Sequence, residues 1–181
     1  KITAYHIGFV LGPCINASGR LDTAARSLAL LNAKTKEEAA RLAGDLTALN
    51  QSRKALTEKG KEEAIRIIET TELKNDRVLV VYLPDCHESL AGIIAGRIRE
   101  KYHRPAFVLT GGETSAKGSG RSIESYSMYE ELVKCADLMI QFGGHPMAAG
   151  LSIEEKNIEE FRRRLNVNCT LTDEELRPKI V

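Results

Sequence analysis

A proline-free segment, residues 35–71, constrains the fold of this 181-residue chain more than any other part of the sequence. It opens with the residue order TKEE (35–38), which is that of a helix-capping box. Leu42, Leu46 and Leu49 follow at spacings of four and three, so they share one face of a helix. At about 1.5 Å per residue such a helix is roughly 50 Å long, which exceeds the width of a small domain. The pattern therefore predicts one long helix that joins domains.

After this helix, apolar runs alternate with amphipathic segments. The run RVLVVYL (77–83) is typical of a fully covered central strand. Residues 89–102 predict a helix on the sheet, and Gly92 and Gly96 would allow it a close approach. Further strands are predicted at 106–109, 116–123, 138–142 and 150–153, and further helices at 128–135 and 157–165. The sequence thus predicts an α/β fold, a mixed-sheet domain with flanking helices, preceded by the long helix.

The first residues carry weaker signals. Residues 2–11 alternate loosely and contain many β-forming residues, which predicts a strand that the following Gly-Pro pair ends. Residues 16–19 then predict a turn before a helix over 23–31. Arg20 directly follows a glycine, and both a solvated position and a place in a binding site fit that pattern.

Composition and charge exclude several classes of function. The net charge of +1 gives no overall attraction for nucleic acid, so polyanion binding would depend on locally grouped Arg and Lys. No apolar run approaches the roughly 20 residues that span a bilayer, and no signal peptide opens the sequence, so we expect a cytoplasmic protein without a membrane partner. The 4 cysteines have no CxxC spacing, which favours reduced thiols over a zinc site. Because the pattern begins without a start methionine, we expect a piece of a longer chain.

The segment FGGHPMAAG (142–150) has the character of a binding site. His145 stands between a glycine pair and a proline, directly after an apolar run that predicts the end of a buried strand. Gly143 and Gly144 predict a turn with bare backbone N–H groups, against which an anion could lie beside the imidazole. A tight loop with a structural histidine explains the same residues equally well.

A second glycine-rich segment, KGSGRSI, repeats this character. Ser119 lies between two glycines, and Arg121 follows with a planar guanidinium that suits phosphate oxygens. Two such loops within roughly thirty residues predict one anionic ligand held between them. His87, at a strand-to-helix loop, suits either anion contact or a capping role. Neither segment is a dinucleotide or P-loop fingerprint.

Four motifs, INASGRLDTA, HESLAGIIAGRI with EKYHRP, KGSGRSI and FGGHPMAAG, resemble in this order the RecJ family of single-stranded-DNA exonucleases. More broadly, they resemble the DHH phosphoesterase superfamily and its C-terminal associated domain. The resemblance implies four parts: 1–34, the end of a catalytic DHH domain; 35–72, a long linking helix; 76–166, the associated substrate-binding domain; and 167–181, a lead-in to an OB-fold.

The resemblance also implies the role of individual residues. The implied substrate- and phosphate-binding residues are Arg20, His87, Ser119, Gly120, Arg121, Gly143 and Gly144. His145 is the implied catalytic residue, because the GGH signature of the family faces its metal centre. The family usually has glycine where this chain has Ser89, so the match to the family is weaker directly after His87.

By resemblance, the chain is the C-terminal substrate-binding part of a metal-dependent 5′-3′ single-stranded-DNA exonuclease of DNA repair and recombination. The expected partners are single-stranded DNA and an N-terminal catalytic domain of the same chain, which would hold Mn or Mg. This chain has no DHH triplet and its histidines are scattered, so we expect neither a metal site within residues 1–181 nor nuclease activity from them alone.

Two other functions fit the associated domain. One is a small-molecule phosphodiesterase of the same superfamily, acting on short oligoribonucleotides or cyclic dinucleotides. The other is a non-catalytic nucleic-acid-binding module of the kind found in alanyl-tRNA synthetases. The INASGRLDTA and KYHRP segments and the RPKI tail favour the exonuclease.

Overall fold

A computed structural model describes residues 1–178 of the chain. They form two compact units, Lys1–Glu58 and a second unit that begins at Lys59. The last three residues of the expected lead-in at 167–181 lie outside the described residues.

The first unit is helical. A π-helix, His6–Leu11, continues into α1, Gly12–Leu21, which is followed by α2, Ala25–Leu31. The strand predicted at 2–11 and the turn predicted at 16–19 are therefore wrong. Proline is tolerated in the first turn of a helix, where its missing N–H needs no partner, so the Gly-Pro pair begins α1 instead of ending a strand.

Two buried serines hold α1 against α2. The hydroxyl groups of Ser18 and Ser27 lie 2.7 Å apart, and both reach the backbone carbonyl oxygen of Ile15, at 3.0 and 2.9 Å. Their small side chains allow the two helices to pack closely while the hydroxyl groups remain hydrogen-bonded. Part of the INASGR segment therefore has a structural role in this fold.

The long helix α3, Lys36–Thr70, is one unbroken helix, as the sequence predicted. Thr35 accepts a hydrogen bond from the backbone N–H of Glu38 at 3.1 Å, and the Glu38 carboxylate accepts one from the backbone N–H of Lys34 at 3.1 Å. The predicted capping box therefore forms, with its return bond shifted one residue towards the N-terminus. The final turns of α3 belong to the second unit, where Gly60 lies so close to Ile94 that a Cβ atom would come within 2.6 Å of its Cδ1.

The second unit is built on a five-stranded mixed sheet. Its strands are β1, Leu79–Leu83; β2, Ala106–Thr110; β3, Ala116–Arg121; β4, Met139–His145; and β5, Ala148–Ile153. The strand order is β1-β2-β3-β5-β4; β1 and β2 are parallel, and every other neighbouring pair is antiparallel. Its longer helices are α4, Ala91–Tyr102; α5, Met128–Val133; and α6, Ile158–Asn168. The predicted α/β fold with a mixed sheet and flanking helices is confirmed.

Helices cover both faces of this sheet. On one face α4 packs against β2 and β3. On the other face α5 and α6 enclose the main core, in which the rings of Phe107 and Phe161 meet edge to face with centroids 5.4 Å apart. On the face that α4 covers, β5 and β4 lie beyond the edge of this helix.

The two outermost strands differ from the sequence prediction. β1 is an end strand and not a central one, although Val80 and Val81, which point to opposite faces, are both buried. On its outer side Asn166 of α6 accepts hydrogen bonds from the backbone N–H groups of Arg77 and Val78, at 2.9 and 3.0 Å, and donates one to the Val78 carbonyl at 3.0 Å. β4, predicted to be buried, is the other end strand, and Ile140 is 60% exposed. The apolar pattern of β1 reports its covered faces and not the number of neighbouring strands, whereas the short apolar run of β4 does not correspond to a covered strand.

Two glycine substitutions test this packing in opposite directions. In Gly120→Ala the new Cβ would lie 2.6 Å from Phe107 and 2.7 Å from the Met128 sulfur, so overpacking should lower the free energy of unfolding by about 1–3 kcal/mol. In Gly96→Ala, on α4, the Cβ meets no atom within 4 Å, and we expect stabilisation of about 0.5–1 kcal/mol. Urea unfolding measures both, and equal stabilities of the two variants would contradict the packing of β3.

Candidate functional site

The register of the sheet brings the two glycine-rich segments together. Arg121, at the end of β3, pairs with Ala148 of β5, which pairs in turn with His145 at the end of β4. Neighbouring strands are about 4.8 Å apart, so the backbones of Arg121 and His145 are roughly 10 Å apart across β5. The sequence did predict two segments on either side of one ligand position, and this register is consistent with that hypothesis.

KGSGRSI lies in the strand predicted at 116–123, although its glycines also suggested a loop, and β3 confirms the strand. The turn predicted at Gly143 and Gly144 is wrong, because β4 continues to His145. The glycines that suggested turns instead allow close contacts: a Cβ on Gly118 would come within 3.2 Å of Leu109 and 3.1 Å of Leu151, and Gly120 is closer still to its neighbours. Gly144 has a φ of 155°, and a Cβ there would lie 2.5 Å from the Ala148 carbonyl oxygen. Close packing requires these glycines. In the sequence, a glycine required by close packing in a strand gives the same signal as a glycine in a turn.

Side chains alternate along a strand, so the residues next to these closely packed glycines lie on the other face of the sheet, the face beside α4. Cross-strand partners share a face of the sheet, so three rows of three form one surface. These rows are Lys117, Ser119 and Arg121 on β3; Ser152, Gly150 and Ala148 on β5; and Gln141, Gly143 and His145 on β4. We call this surface the cleft face.

The centre of the cleft face has no side chains. Gly143 pairs with Gly150; a Cβ on Gly143 would meet nothing within 4 Å, and one on Gly150 would meet only the Gly118 carbonyl oxygen at 3.8 Å. Above this glycine floor lies a cavity of about 550 Å³. It is lined by Glu88, Ser89, Ala91, Lys117, Gly118, Ser119, Gln141, Phe142, Gly143, Gly150, Leu151 and Ser152. Because packing does not demand glycine at either floor position, the bare backbone is the distinctive property of this place.

The first turn of α4 forms one wall of the cleft. A Cβ on Gly92 would lie 2.7 Å from Nη2 of Arg121 and 3.5 Å from the Ser119 hydroxyl oxygen, so the helix and β3 are in direct contact here. Arg121 Nη1 donates a hydrogen bond to the Gly120 carbonyl at 2.7 Å, which helps to fix the half-buried guanidinium. The predicted close approach of α4 is confirmed at Gly92, whereas Gly96 has no such neighbour.

His87 caps the short 3-10 turn Glu88–Leu90 that leads into α4. Its Nδ1 lies 3.3 Å from the backbone nitrogen of Ser89 and 2.8 Å from the Ser89 hydroxyl. A backbone N–H can only donate, so Nδ1 is the acceptor, and in the neutral ring the proton is on Nε2. The structure therefore shows the capping role; anion contact by the exposed Nε2 side stays a prediction. Ser89, where the family usually has glycine, contributes its hydroxyl to this cap.

The other predicted residues are divided between the two units. Arg20 is half-buried near the end of α1 in the first unit. His145 is exposed at the last position of β4. The cleft face thus contains Ser119 and Gly143 in one cross-strand row and Arg121 and His145 in the next. Arg20 is not one of its residues.

The chemical groups of the cleft suit the holding of an anion. Arg121 and Lys117 are cationic, Ser119 and Ser152 offer hydroxyls, and the glycine floor allows an anion to approach the sheet closely. Within residues 1–178, no three His, Cys, Asp or Glu side chains come together as a group that could hold a metal ion. Near the α4 wall, burial raises the pKa of the Cys86 thiol, so it remains protonated and poorly nucleophilic at neutral pH.

Comparison with known proteins identifies the domain that carries this cleft. Residues 75–169 match the DHHA1 domain model, and this range contains all five strands and α4 to α6. The chain belongs to the DHHA1 domain family. Every residue of the cleft face lies within the matched range.

Relatives extend the likeness beyond this domain. The chain is 42% identical over 172 residues to the single-stranded-DNA-specific exonuclease RecJ of Salmonella typhimurium, covering 91% of this chain and 30% of the relative. It is 36% identical to RecJ of Bacillus subtilis, covering 95% of this chain and 22% of the relative. The chain therefore spans less than a third of these curated relatives.

Solved structures agree with the sequence matches. The crystal structure of RecJ from Thermus thermophilus in complex with Mg2+ matches with a TM-score of 0.82 and 32% identity, over 91% of this chain and 26% of that chain. A structure of exonuclease RecJ bound to manganese matches with a TM-score of 0.78, over 91% of this chain and 41% of that one. No helix within residues 1–178 has the length and apolar character needed to cross a membrane.

Sequence reasoning missed part of the cleft face. Lys117, Gln141, Gly150 and Ser152 were not singled out, although each lies within a segment predicted to be a strand or directly beside a motif. The available signal was the period of two: once Ser119 and Arg121 are placed on one face, Lys117 joins them. The cross-strand register that adds β4 and β5 required the structure.

Alanine substitutions at the adjacent glycines Gly143 and Gly144 of β4 should have different effects on stability. Gly144→Ala should lower stability by about 1–3 kcal/mol, because φ is positive and the Cβ would collide with the backbone of β5. Gly143→Ala points into the open cleft and should change stability by no more than about 0.5 kcal/mol. Thermal unfolding of the two variants measures this; similar losses at both positions would show that Gly143 also has a packing role.

Proposed function

We propose that this chain is the substrate-binding part of a metal-dependent 5′-3′ single-stranded-DNA exonuclease of DNA repair and recombination. The observation that carries the proposal is the cleft face, in which Arg121 and His145 lie in one register across Ala148, in the row next to the glycine floor. Relatives named as single-stranded-DNA-specific exonucleases, at 42% and 36% identity, support it over the small-molecule phosphodiesterase and the synthetase module.

The position of Arg121 supports a role in phosphate binding. Its side chain is half-buried between α4 and β3, and its bond to the Gly120 carbonyl restricts its rotamers before any ligand arrives. A guanidinium held in this way loses less conformational freedom when it binds two phosphate oxygens. Since the net charge is only +1, such local cations would supply most of the attraction for DNA.

The dimensions of the cleft support a single strand as the ligand. The surface from β3 to β4 is roughly 10 Å wide and is walled by α4 on one side. At its centre, Gly143 and Gly150 allow a sugar-phosphate backbone to approach the sheet without meeting a Cβ. Ser119, Gly120, Gly143 and Gly144 would contribute hydroxyl and backbone groups, and His87 would offer Nε2 from the α4 wall.

His145 is proposed to contact the phosphate that reacts. Its imidazole is exposed at the end of β4, beyond the cavity, where it could donate a hydrogen bond to a phosphate oxygen. The described residues offer no group of metal ligands, so the Mg2+ and manganese named for solved relatives would here be bound by a part of the protein outside residues 1–178. Such ions supply activated water when bound. The expectation that residues 1–181 are inactive alone stays a prediction.

Replacing Arg121 tests the phosphate site. In the full-length protein, Arg121→Ala should weaken binding of single-stranded DNA by about 10-fold or more, because one charge-assisted hydrogen-bonded contact is lost. The slope of log Kd against log salt concentration should fall by about 0.7, the value for one phosphate on a single strand. Fluorescence anisotropy at several salt concentrations measures both.

A suitable control for Arg121 is Arg163→Ala. Arg163 is an exposed arginine of α6, on the opposite face of the sheet, where it pairs with Glu160 at 2.7 Å. It should leave the affinity and the salt slope unchanged. If Arg121→Ala instead lowers the melting temperature sharply with unchanged affinity and slope, Arg121 is part of the scaffold and the phosphate site is misplaced.

Replacing His145 separates catalysis from binding. In the full-length enzyme, His145→Ala should reduce kcat more than it weakens DNA binding, since a group that contacts the reacting phosphate acts chiefly on the transition state. Single-turnover digestion and Kd for the same oligonucleotide provide the comparison. A loss confined to affinity, with an unchanged rate at saturating DNA, would make His145 an ordinary binding residue.

A further inference from the structure

An ion pair crosses the cleft at the end opposite to Arg121 and His145. Lys117 Nζ on β3 lies 2.9 Å from Oε2 of Glu88, in the turn that precedes α4. Both side chains are about half exposed, at 53% and 51%, and both residues line the cavity. The pair therefore connects the helix wall to the sheet directly beside the glycine floor.

Lys117 continues the row that Arg121 begins. The two residues are four positions apart on β3, with Ser119 midway, so the three share a face at steps of about 6.6 Å. Lys117 is therefore roughly 13 Å from Arg121 along the strand, which is far enough for the two side chains to contact different phosphates of one DNA strand. Across the cleft, Gln141 lies in the same register as Lys117, through Ser152. The polar groups of the cleft thus extend well past the first phosphate position.

The partner of Lys117, the carboxylate of Glu88, is unexpected at a surface proposed to bind phosphates. A carboxylate facing a surface for phosphodiesters repels them, and nothing in the packing requires Glu88, whose side chain is half exposed. A carboxylate also offers the same kind of anionic oxygen to an ammonium group that a phosphate offers. An exposed pair of this type contributes little to stability and is readily exchanged.

We propose that Lys117 binds a second phosphate of the same DNA strand and that Glu88 is its exchange partner, which holds Lys117 across the cleft when no DNA is bound. The inference rests on the proposed function and adds a second contact to it. Binding replaces the carboxylate by a phosphodiester at Lys117 without any covalent step. Glu88 therefore lowers the affinity for DNA, and it does so through Lys117.

A double-mutant cycle in the full-length protein tests this exchange. Binding of an oligothymidylate is measured by anisotropy, without divalent ions to prevent digestion, for the wild type, Glu88→Gln, Lys117→Gln and the double variant. We expect Glu88→Gln to tighten binding about two- to fivefold. Lys117→Gln should weaken it about five- to tenfold and reduce the salt slope by about 0.7. In the Lys117→Gln background, Glu88→Gln should have a much smaller effect than in the wild type, because Glu88 acts mainly by occupying Lys117.

Glu100→Gln is the matched control. Glu100 is on α4, the helix that follows the turn of Glu88. Like Glu88 it is 51% exposed and paired, with Arg97 at 3.0 Å, but it lies about 14 Å along the helix from Ala91. The Glu100→Gln substitution removes the same charge as Glu88→Gln, but at a position distant from the cleft, and it should leave the affinity for DNA unchanged. If Glu100→Gln tightens binding as much as Glu88→Gln, or if Glu88→Gln acts equally with and without Lys117, the effect is general repulsion and the exchange is refuted.

Arg121→Ala, measured in parallel, separates the two proposals. Weakened binding in Arg121→Ala together with wild-type affinity and slope in Lys117→Gln would overturn the second phosphate contact alone. If the wild-type protein fails to bind the oligothymidylate, or if Arg121→Ala has no effect, the proposed function fails and this inference fails with it.

Discussion

The contact of Gly120 with Phe107 and Met128 is the constraint on which the cleft depends. β3 is the middle strand of the sheet, and on its core side Gly118 and Gly120 leave only backbone, against which larger side chains from other elements pack. Because side chains alternate along a strand, this requirement directs Ser119 and Arg121 to the other face. The same two glycines therefore satisfy the core and orient the polar row, which explains why a motif with so little side-chain volume can be both structural and functional.

The cleft is rigid because its groups are on strands and a helix. Arg121 and His145 occupy strand ends within a continuous hydrogen-bonded sheet, and Gly92 brings α4 into contact with that sheet. His87 is fixed by its cap at the start of the helical wall. A binding surface made in this way loses little conformational freedom when a ligand arrives, in contrast to one made from mobile loops.

Sequence patterns predicted most elements of the second unit and the whole of α3, since long periodic segments and a capping box are local signals. They failed for residues 2–11, where β-forming residues are helical, and for the turn predicted at Gly143 and Gly144, through which β4 continues. Glycine gives the same signal for a turn as for close packing, and only the neighbours that Gly120 and Gly144 meet distinguish the two. The sequence also placed Arg121 and His145 in one site, while Lys117, Gln141 and Gly150 depended on register, which is a non-local property.

The bonds from Asn166 to the backbone of Arg77 and Val78 join residues 89 and 88 positions apart in the chain. During synthesis β1 emerges before α6, and these backbone groups of Arg77 and Val78 remain without Asn166 until α6 has left the ribosome. Docking of α6 at the start of β1 therefore waits for nearly the whole domain, a high-contact-order step that slows folding. A nascent or truncated chain that stops before Asn166 leaves these backbone groups unpaired at the start of an apolar end strand, and unpaired strand edges are the type of surface through which partly folded proteins aggregate.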